Sequence, residues 1–197
     1  MRTAAVSTSF GALPGVEEVF RFAEQEVGLA AAELWPGAVV EFGAHVPSVT
    51  GYVRRIAVDG RELYAKYAFL GVSLVSLLRG TCGEWPQVLK EQPAYVARAD
   101  ALLEREAAQL RLLARMRYPR VCPVAGVARG VLFTGPVAGP SLGDLLMLQP
   151  ETTAPLLRQV FAELRPLHRP RRRDLGATSV IGERSIVRTF LRKSSRK

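Results

Sequence analysis

The dipeptide Asp59-Gly60 lies between two segments of alternating apolar residues, 51–58 and 62–69, and it constrains the fold more than any other feature of the chain. Asp-Gly is typical of the two-residue turn of a β-hairpin, in which both turn residues adopt positive φ angles. A third segment of the same kind, 38–45, precedes the hairpin. We therefore predict an antiparallel meander of three strands, with a small polar loop between the first two.

Helical spacing of apolar residues predicts three longer helices around this meander. Residues 16–34 and 152–168 each carry one apolar stripe, and Thr153 is a candidate cap for the second. Residues 97–116 give the strongest helical pattern, with Asp100 as a candidate N-cap.

Two further strand-like segments follow that third helix, at 121–128 and 130–137. Residues 72–78 fit either a short helix or a loop, and residues 80–87 have a loop composition. The turn that follows the last strand leads into a short helix after Ser141. The order of elements indicates an α+β fold with a five-stranded antiparallel sheet.

Lys66 occupies the middle of the apolar third strand, where a lysine facing inward needs an anion nearby. Glu106 can supply that anion, because it shares one face of the helix at 97–116 with Leu103, Leu110 and Leu113. A strand lysine paired with a helix glutamate holds nucleotide phosphates in kinases. The alternatives are a purely structural salt bridge, or a lysine whose ammonium group extends to the edge of the sheet.

Four segments in this order resemble the aminoglycoside phosphotransferase and choline kinase family, which has a protein kinase-like fold. The segments are AK at 65–66, LEREAAQLRLL at 103–113, VLFTGPVAGPSLGDLL at 131–146 and LLRQVFAELRPLH at 156–168. The resemblance implies four parts of the chain. Residues 1–37 would be a lead-in and helix, and residues 38–137 a kinase-like N-lobe whose helix at 97–116 is of the αC type. A hinge with the first C-lobe helices would follow at 138–168, and a truncated, basic C-lobe remnant at 169–197. It also implies an insertion at about 70–96.

The resemblance further implies an ATP site, and it assigns a role to each matching residue. Lys66 would bind phosphates with Glu106 as its partner, and Val53 would cover the adenine. Thr134 would precede the hinge. The phosphate-covering loop would contain Ser48, Thr50 and Gly51, and the adenine edge would meet the carbonyl of Gly135 and the N–H of Val137.

The family's catalytic residues have no counterpart in this sequence. Phosphoryl transfer in the family uses an HxD-x-x-x-x-N loop and a later aspartate for Mg²⁺. The two histidines are His45 and His168; Asp174 follows His168 by six residues in an arginine cluster, and no asparagine or later aspartate follows. We therefore expect no catalytic residue, no metal site and no Mg²⁺. The chain would be a truncated, inactive relative, and a small-molecule acceptor would bind only to a full-length one.

The net charge of +9 is concentrated at the end of the chain. Residues 1–168 contain 17 Lys and Arg against 16 Asp and Glu, whereas residues 169–197 contain 10 against 2. This basic tail supports an alternative function, a non-catalytic regulatory protein that binds an acidic partner or nucleic acid. A third interpretation is an α+β domain in which Lys66 and Glu106 form only a core ion pair.

The remaining composition favours a cytoplasmic protein. Cys82 and Cys122 form no disulfide framework or metal-ligand spacing, and the first residues lack the long apolar core of a signal peptide. The longest apolar run, 68–78, is too short to span a bilayer. We therefore expect no membrane span.

Overall fold

The computed structural model describes residues 13–116 and 119–165. The expectations for the basic tail at 169–197, and for His168 and Asp174, lie outside these residues.

The described chain is an α+β fold built from a five-stranded antiparallel sheet and six α-helices. The strands are β1 (Val40–His45), β2 (Tyr52–Val58), β3 (Arg61–Tyr67), β4 (Val124–Ala128) and β5 (Val131–Thr134), in the spatial order β1-β2-β3-β5-β4. The helices are α1 (Val16–Leu34), α2 (Leu74–Leu78), α3 (Trp85–Val96), α4 (Leu102–Met116), α5 (Leu142–Leu148) and α6 (Thr153–Leu164), and a 3₁₀ turn at Pro150–Thr152 joins the last two. The predicted α+β class and the five-stranded antiparallel sheet are confirmed.

The predicted hairpin turn at Asp59-Gly60 is present between β2 and β3. Both residues have positive φ, 48° and 76°. The Asp59 carboxylate also accepts a hydrogen bond from the Val39 N–H at 2.9 Å. The turn residue thus joins the start of β1 to the hairpin, so the three strands form one meander.

The sheet has apolar residues on both faces, and each face is covered by helices. On one face, α1 packs its buried residues Val19, Ala23 and Val27 against the sheet, and α3 adds Trp85 and Val88 to the same core. On the other face, α4 packs against β4 and β5. A smaller cluster lies there, made of Ala68, Leu103, Ala107 and Leu132.

Two predictions about helix ends are wrong. The helix predicted from residue 97 begins at Leu102, and Asp100 does not cap it, because its carboxylate accepts two hydrogen bonds from the Arg98 guanidinium, at 2.8 and 2.7 Å. Thr153 is the first residue of α6 rather than its cap, and its hydroxyl donates to the Pro150 carbonyl.

The region expected to be an insertion, 70–96, contains two helices. The segment at 72–78 forms α2, capped by the Ser73 hydroxyl, which accepts from the Ser76 N–H at 3.1 Å. The loop predicted at 80–87 is wrong in its second half, because α3 begins at Trp85 with Pro86 in its first turn. Proline lacks the N–H that the first turn of a helix leaves unpaired, so Pro86 is compatible with a helix start.

As predicted, α5 begins directly after Ser141, which is its N-cap. Its hydroxyl accepts from the Asp144 N–H, and the Asp144 carboxylate accepts from the Ser141 N–H, which together form a capping box.

No residue of α5 or α6 is buried. No helix among the described residues is long and apolar enough to cross a membrane.

Candidate functional site

Lys66 and Glu106, forty residues apart in the sequence, form an ion pair between β3 and α4. The Lys66 Nζ donates to Glu106 Oε1 at 2.5 Å, and the two side chains are 33% and 24% exposed. The pair is therefore half-buried and still reaches solvent. An ammonium group has three N–H donors, so Lys66 can bind a second anion without leaving Glu106.

Strand register explains why Lys66 faces α4. Val53, Lys66 and Leu132 are direct neighbours across β2, β3 and β5, so their side chains point to one face of the sheet. Leu132 is fully buried against α4, in the cluster that includes Ala107. Because Glu106 precedes Ala107 on α4, the packing that buries Ala107 also brings the Glu106 carboxylate beside Lys66.

Thr134 lies on the same sheet face as Lys66. It pairs with Tyr64, two residues before Lys66, and is 3% exposed. The structure therefore brings Val53, Lys66, Glu106 and Thr134 to one side of the sheet.

The loop that would cover phosphates connects β1 to β2 and lies at the end of the sheet next to the Lys66 row. Ser48 is half-buried and Thr50 is exposed, and their hydroxyl oxygens are 3.3 Å apart. The Val49 carbonyl accepts from the N–H of Leu74, which ties the loop to the start of α2. The loop therefore presents two hydroxyls from a backbone that is attached at its middle.

Packing alone explains the glycine at position 51. A Cβ atom there would lie 2.7 Å from the Tyr67 carbonyl oxygen on β3, closer than a carbon side chain tolerates. Gly51 is thus needed for the approach of two strands, and its presence is not evidence for a phosphate contact.

The segment after β5 contains the two backbone groups assigned to the adenine edge. The Gly135 N–H donates to the Pro123 carbonyl at 2.8 Å, which extends the pairing of β5 with the β4 side by one residue. Within the described ranges, the Gly135 carbonyl and the Val137 N–H take part in no backbone hydrogen bond. Val137 is 72% exposed. Gly135 itself is buried, so of these two residues only Val137 is open to solvent.

The described residues contain no cluster of three or more His, Cys, Asp or Glu side chains that could hold a metal ion. The site comprises one cation paired with a carboxylate, together with hydroxyls and backbone groups. That set suits binding of an anionic, hydrogen-bonding ligand.

Sequence reasoning missed a second polar group of residues on the opposite sheet face. It comprises Glu26 on α1, Tyr67 on β3, Gln92 on α3 and Arg129 in the turn between β4 and β5. One signal was available in the sequence. Arg129-Gly130 separates two strand-like segments, although arginine is unusual at that position of a tight turn.

A scan against protein-family models, a search of curated proteins and a search of solved structures each found no match.

Proposed function

We propose that the described chain is the nucleotide-binding part of a kinase-like small-molecule phosphotransferase fold. In this proposal the chain binds ATP beside Lys66 and does not transfer phosphate with its own residues. The observation that carries the proposal is the Lys66–Glu106 pair at 2.5 Å. A pair that joins the third strand to the helix before the last two strands is how kinases orient a phosphate-binding lysine.

Three further features support the proposal. Val53 lies beside Lys66 on the same face, and Thr134 precedes a segment in which Val137 is exposed and its N–H makes no backbone hydrogen bond within the described ranges. The Lys66 side chain is 33% exposed, so a phosphate can approach it from solvent. The hydroxyls of Ser48 and Thr50 lie on the loop that the phosphates would face.

The proposal assigns ATP binding without Mg²⁺ and without catalysis. The sequence has no HxD-x-x-x-x-N loop, and no asparagine that could hold a metal ion. An acceptor, such as an aminoglycoside-type alcohol, would bind to a full-length relative.

A thermal-shift experiment with the non-hydrolysable analogue AMP-PNP tests the proposal. At a concentration one hundred times its Kd, a ligand stabilises the folded state by about 2.7 kcal/mol. That corresponds to roughly 5–10 °C for a chain of this size. We expect this shift for the wild type, and we expect Lys66→Met to lose most of it while the aliphatic part of the side chain keeps its packing.

Lys90→Met is the matched control, because Lys90 is an exposed lysine of α3. It should retain the whole shift, and EDTA should leave the wild-type shift unchanged. A wild type without any shift would reject nucleotide binding and leave the pair a structural salt bridge. A shift that needs Mg²⁺, or γ-phosphate transfer that Lys66→Met abolishes, would overturn the assignment of an inactive chain.

A further inference from the structure

A cavity of about 220 Å³ lies on the sheet face opposite Lys66, between α1, α3 and the turn that joins β4 to β5. Its lining residues are Phe22, Glu26, Tyr67, Gln92, Pro93, Val96 and Arg129. An apolar cavity of about 150 Å³ accommodates benzene. This cavity is therefore large enough for a substituted aromatic or alicyclic ring.

The side-chain amide of Gln92 has only one orientation that satisfies its neighbours. Its Oε1 accepts from the Leu70 N–H at 2.9 Å, and its Nε2 donates to the Ala68 carbonyl at 2.9 Å. The second Nε2 proton must then go to the Tyr67 hydroxyl oxygen, 3.0 Å away. Tyr67 is therefore an acceptor toward Gln92.

The hydroxyl proton of Tyr67 consequently points away from Gln92. Tyr67 is 2% exposed, and its hydroxyl donates no hydrogen bond to any described residue. Burial raises the pKa of Tyr67, so the phenol keeps its proton. A buried donor that lacks an acceptor is costly unless a ligand or water supplies one.

Arg129 lies at the mouth of the cavity in an unfavourable backbone conformation. Its φ of 49° is left-handed, and the following Gly130 has φ of 74°. Asn, Asp and Gly are the residues favoured at the first position of such a turn, and Asp59 occupies the equivalent position in the other hairpin. Strain of this kind concentrates at functional sites. Here it places a guanidinium group beside the cavity.

The charges at the mouth already neutralise each other. The Arg129 guanidinium donates to the Glu26 carboxylate through Nε at 3.2 Å and through Nη2 at 3.4 Å. The pair is neutral overall, so the mouth carries no net charge that would favour a charged ligand. Phe22, Pro93 and Val96 form apolar walls.

From these contacts we propose that the cavity binds a small uncharged ring molecule that carries one acceptor oxygen. The oxygen accepts the Tyr67 proton, the ring packs between Phe22 and Val96, and the Glu26–Arg129 pair closes the mouth. The site is separate from the nucleotide site and does not depend on that proposal, because the two lie on opposite faces of the sheet.

Acetophenone and α-methylstyrene are matched probes, since the second has a CH₂ group in place of the carbonyl oxygen. Isothermal titration calorimetry on the full chain should show that acetophenone binds about five to ten times more tightly, the ratio expected for one hydrogen bond. Tyr67→Phe should remove this preference and leave the affinity for α-methylstyrene unchanged. Tyr64→Phe is the control, because Tyr64 lies on the other sheet face and should keep the preference.

Arg129→Asn is a second variant whose folding is secure, because asparagine suits the turn. It should weaken both probes by a similar factor, since it removes one wall of the mouth. The proposal is overturned if neither probe binds at millimolar concentration, which would mean that water alone occupies the cavity. It is also overturned if Tyr67→Phe retains the preference, or if benzoate binds more tightly than acetophenone, which would indicate a site for anions.

Discussion

At the scale of single residues, the folded structure disfavours the protonated, charged form of His45. Its ring stacks on Phe20 with the centroids 4.6 Å apart, and it lies 5.4 Å from the ring of Tyr52. Its Nε2 is buried and has no hydrogen-bond partner among the described residues. Burial, together with the positive charge of Arg54, lowers the pKa of His45 below its usual value.

This lowered pKa makes the stability of the protein depend on pH. An unfolded histidine titrates near pH 6.5. As the pH falls through this value, His45 becomes protonated in the unfolded state while it stays neutral in the folded state. The free energy of unfolding therefore decreases as the pH falls. We expect the urea midpoint to fall between pH 7.5 and 5.5, and to fall less in His45→Phe, whose ring preserves the stacking.

His168 is present in both proteins, so the comparison isolates His45. Arg54, the charged neighbour, pairs with Glu24 at 2.6 Å and stays cationic throughout this pH range. If the urea midpoint depended on pH equally in the two proteins, His45 would not be the group responsible for the pH dependence.

Sequence reasoning was most informative where a charged side chain lies on an otherwise apolar face. Lys66 and Glu106 could be paired in advance because each is a charge on an apolar face. Tyr67 and Gln92 gave no such signal, since a tyrosine suits a strand and a glutamine suits a helix. Their contact depends on how α3 lies against β3, which is decided by tertiary packing.

At the scale of elements, the two hairpins use the same turn with different residues. The turn between β2 and β3 has Asp59, which also binds the Val39 N–H, whereas the turn between β4 and β5 has Arg129. Left-handed backbone costs a residue such as arginine about 1–2 kcal/mol. The Arg129–Glu26 ion pair is partly exposed, with the two side chains 41% and 17% accessible, and such a pair contributes about 0–1 kcal/mol.

Arg129→Asn should therefore stabilise the protein slightly, by about 1 kcal/mol, because the relief of strain exceeds the loss of the ion pair. Urea denaturation measures this change. The reciprocal variant Asp59→Arg should destabilise the protein, because it introduces the strain and removes the bond to Val39. A destabilised Arg129→Asn protein would show that the arginine serves the stability of the turn.

The boundaries of elements were harder to predict than their order. Periodicity and turn residues are local signals, and they predict the meander, α1 and the pair of strands β4 and β5. The start of α4 was misplaced because Asp100 has a cap's side chain but binds Arg98. The helix at Trp85–Val96 was missed because Trp85-Pro86 resembles a loop and Pro93 interrupts the helical pattern. Contacts of Trp85 and Val88 with the core stabilise it.

At the scale of the whole molecule, burial is unevenly distributed along the described chain. The sheet has helices packed on both faces, and α1 alone has five buried residues, Val19, Ala23, Val27, Ala30 and Ala31. In contrast, α5 and α6 have none, and their large apolar side chains Met147, Leu148 and Phe161 are 84%, 77% and 65% exposed. Helices gain most of their stability from packing an apolar face.

Amide hydrogen exchange should therefore separate the chain into two classes. Amides of α1 should exchange only through global unfolding, whereas those of α6 should open locally at a small free-energy cost, because few buried contacts oppose the opening. Mass spectrometry of peptides from 19–31 and 156–164 measures both in one sample, and the peptide at 103–112 from α4 is an internal control with buried residues. Equal protection of α1 and α6 would contradict this expectation and would mean that α6 is covered by something beyond the described contacts.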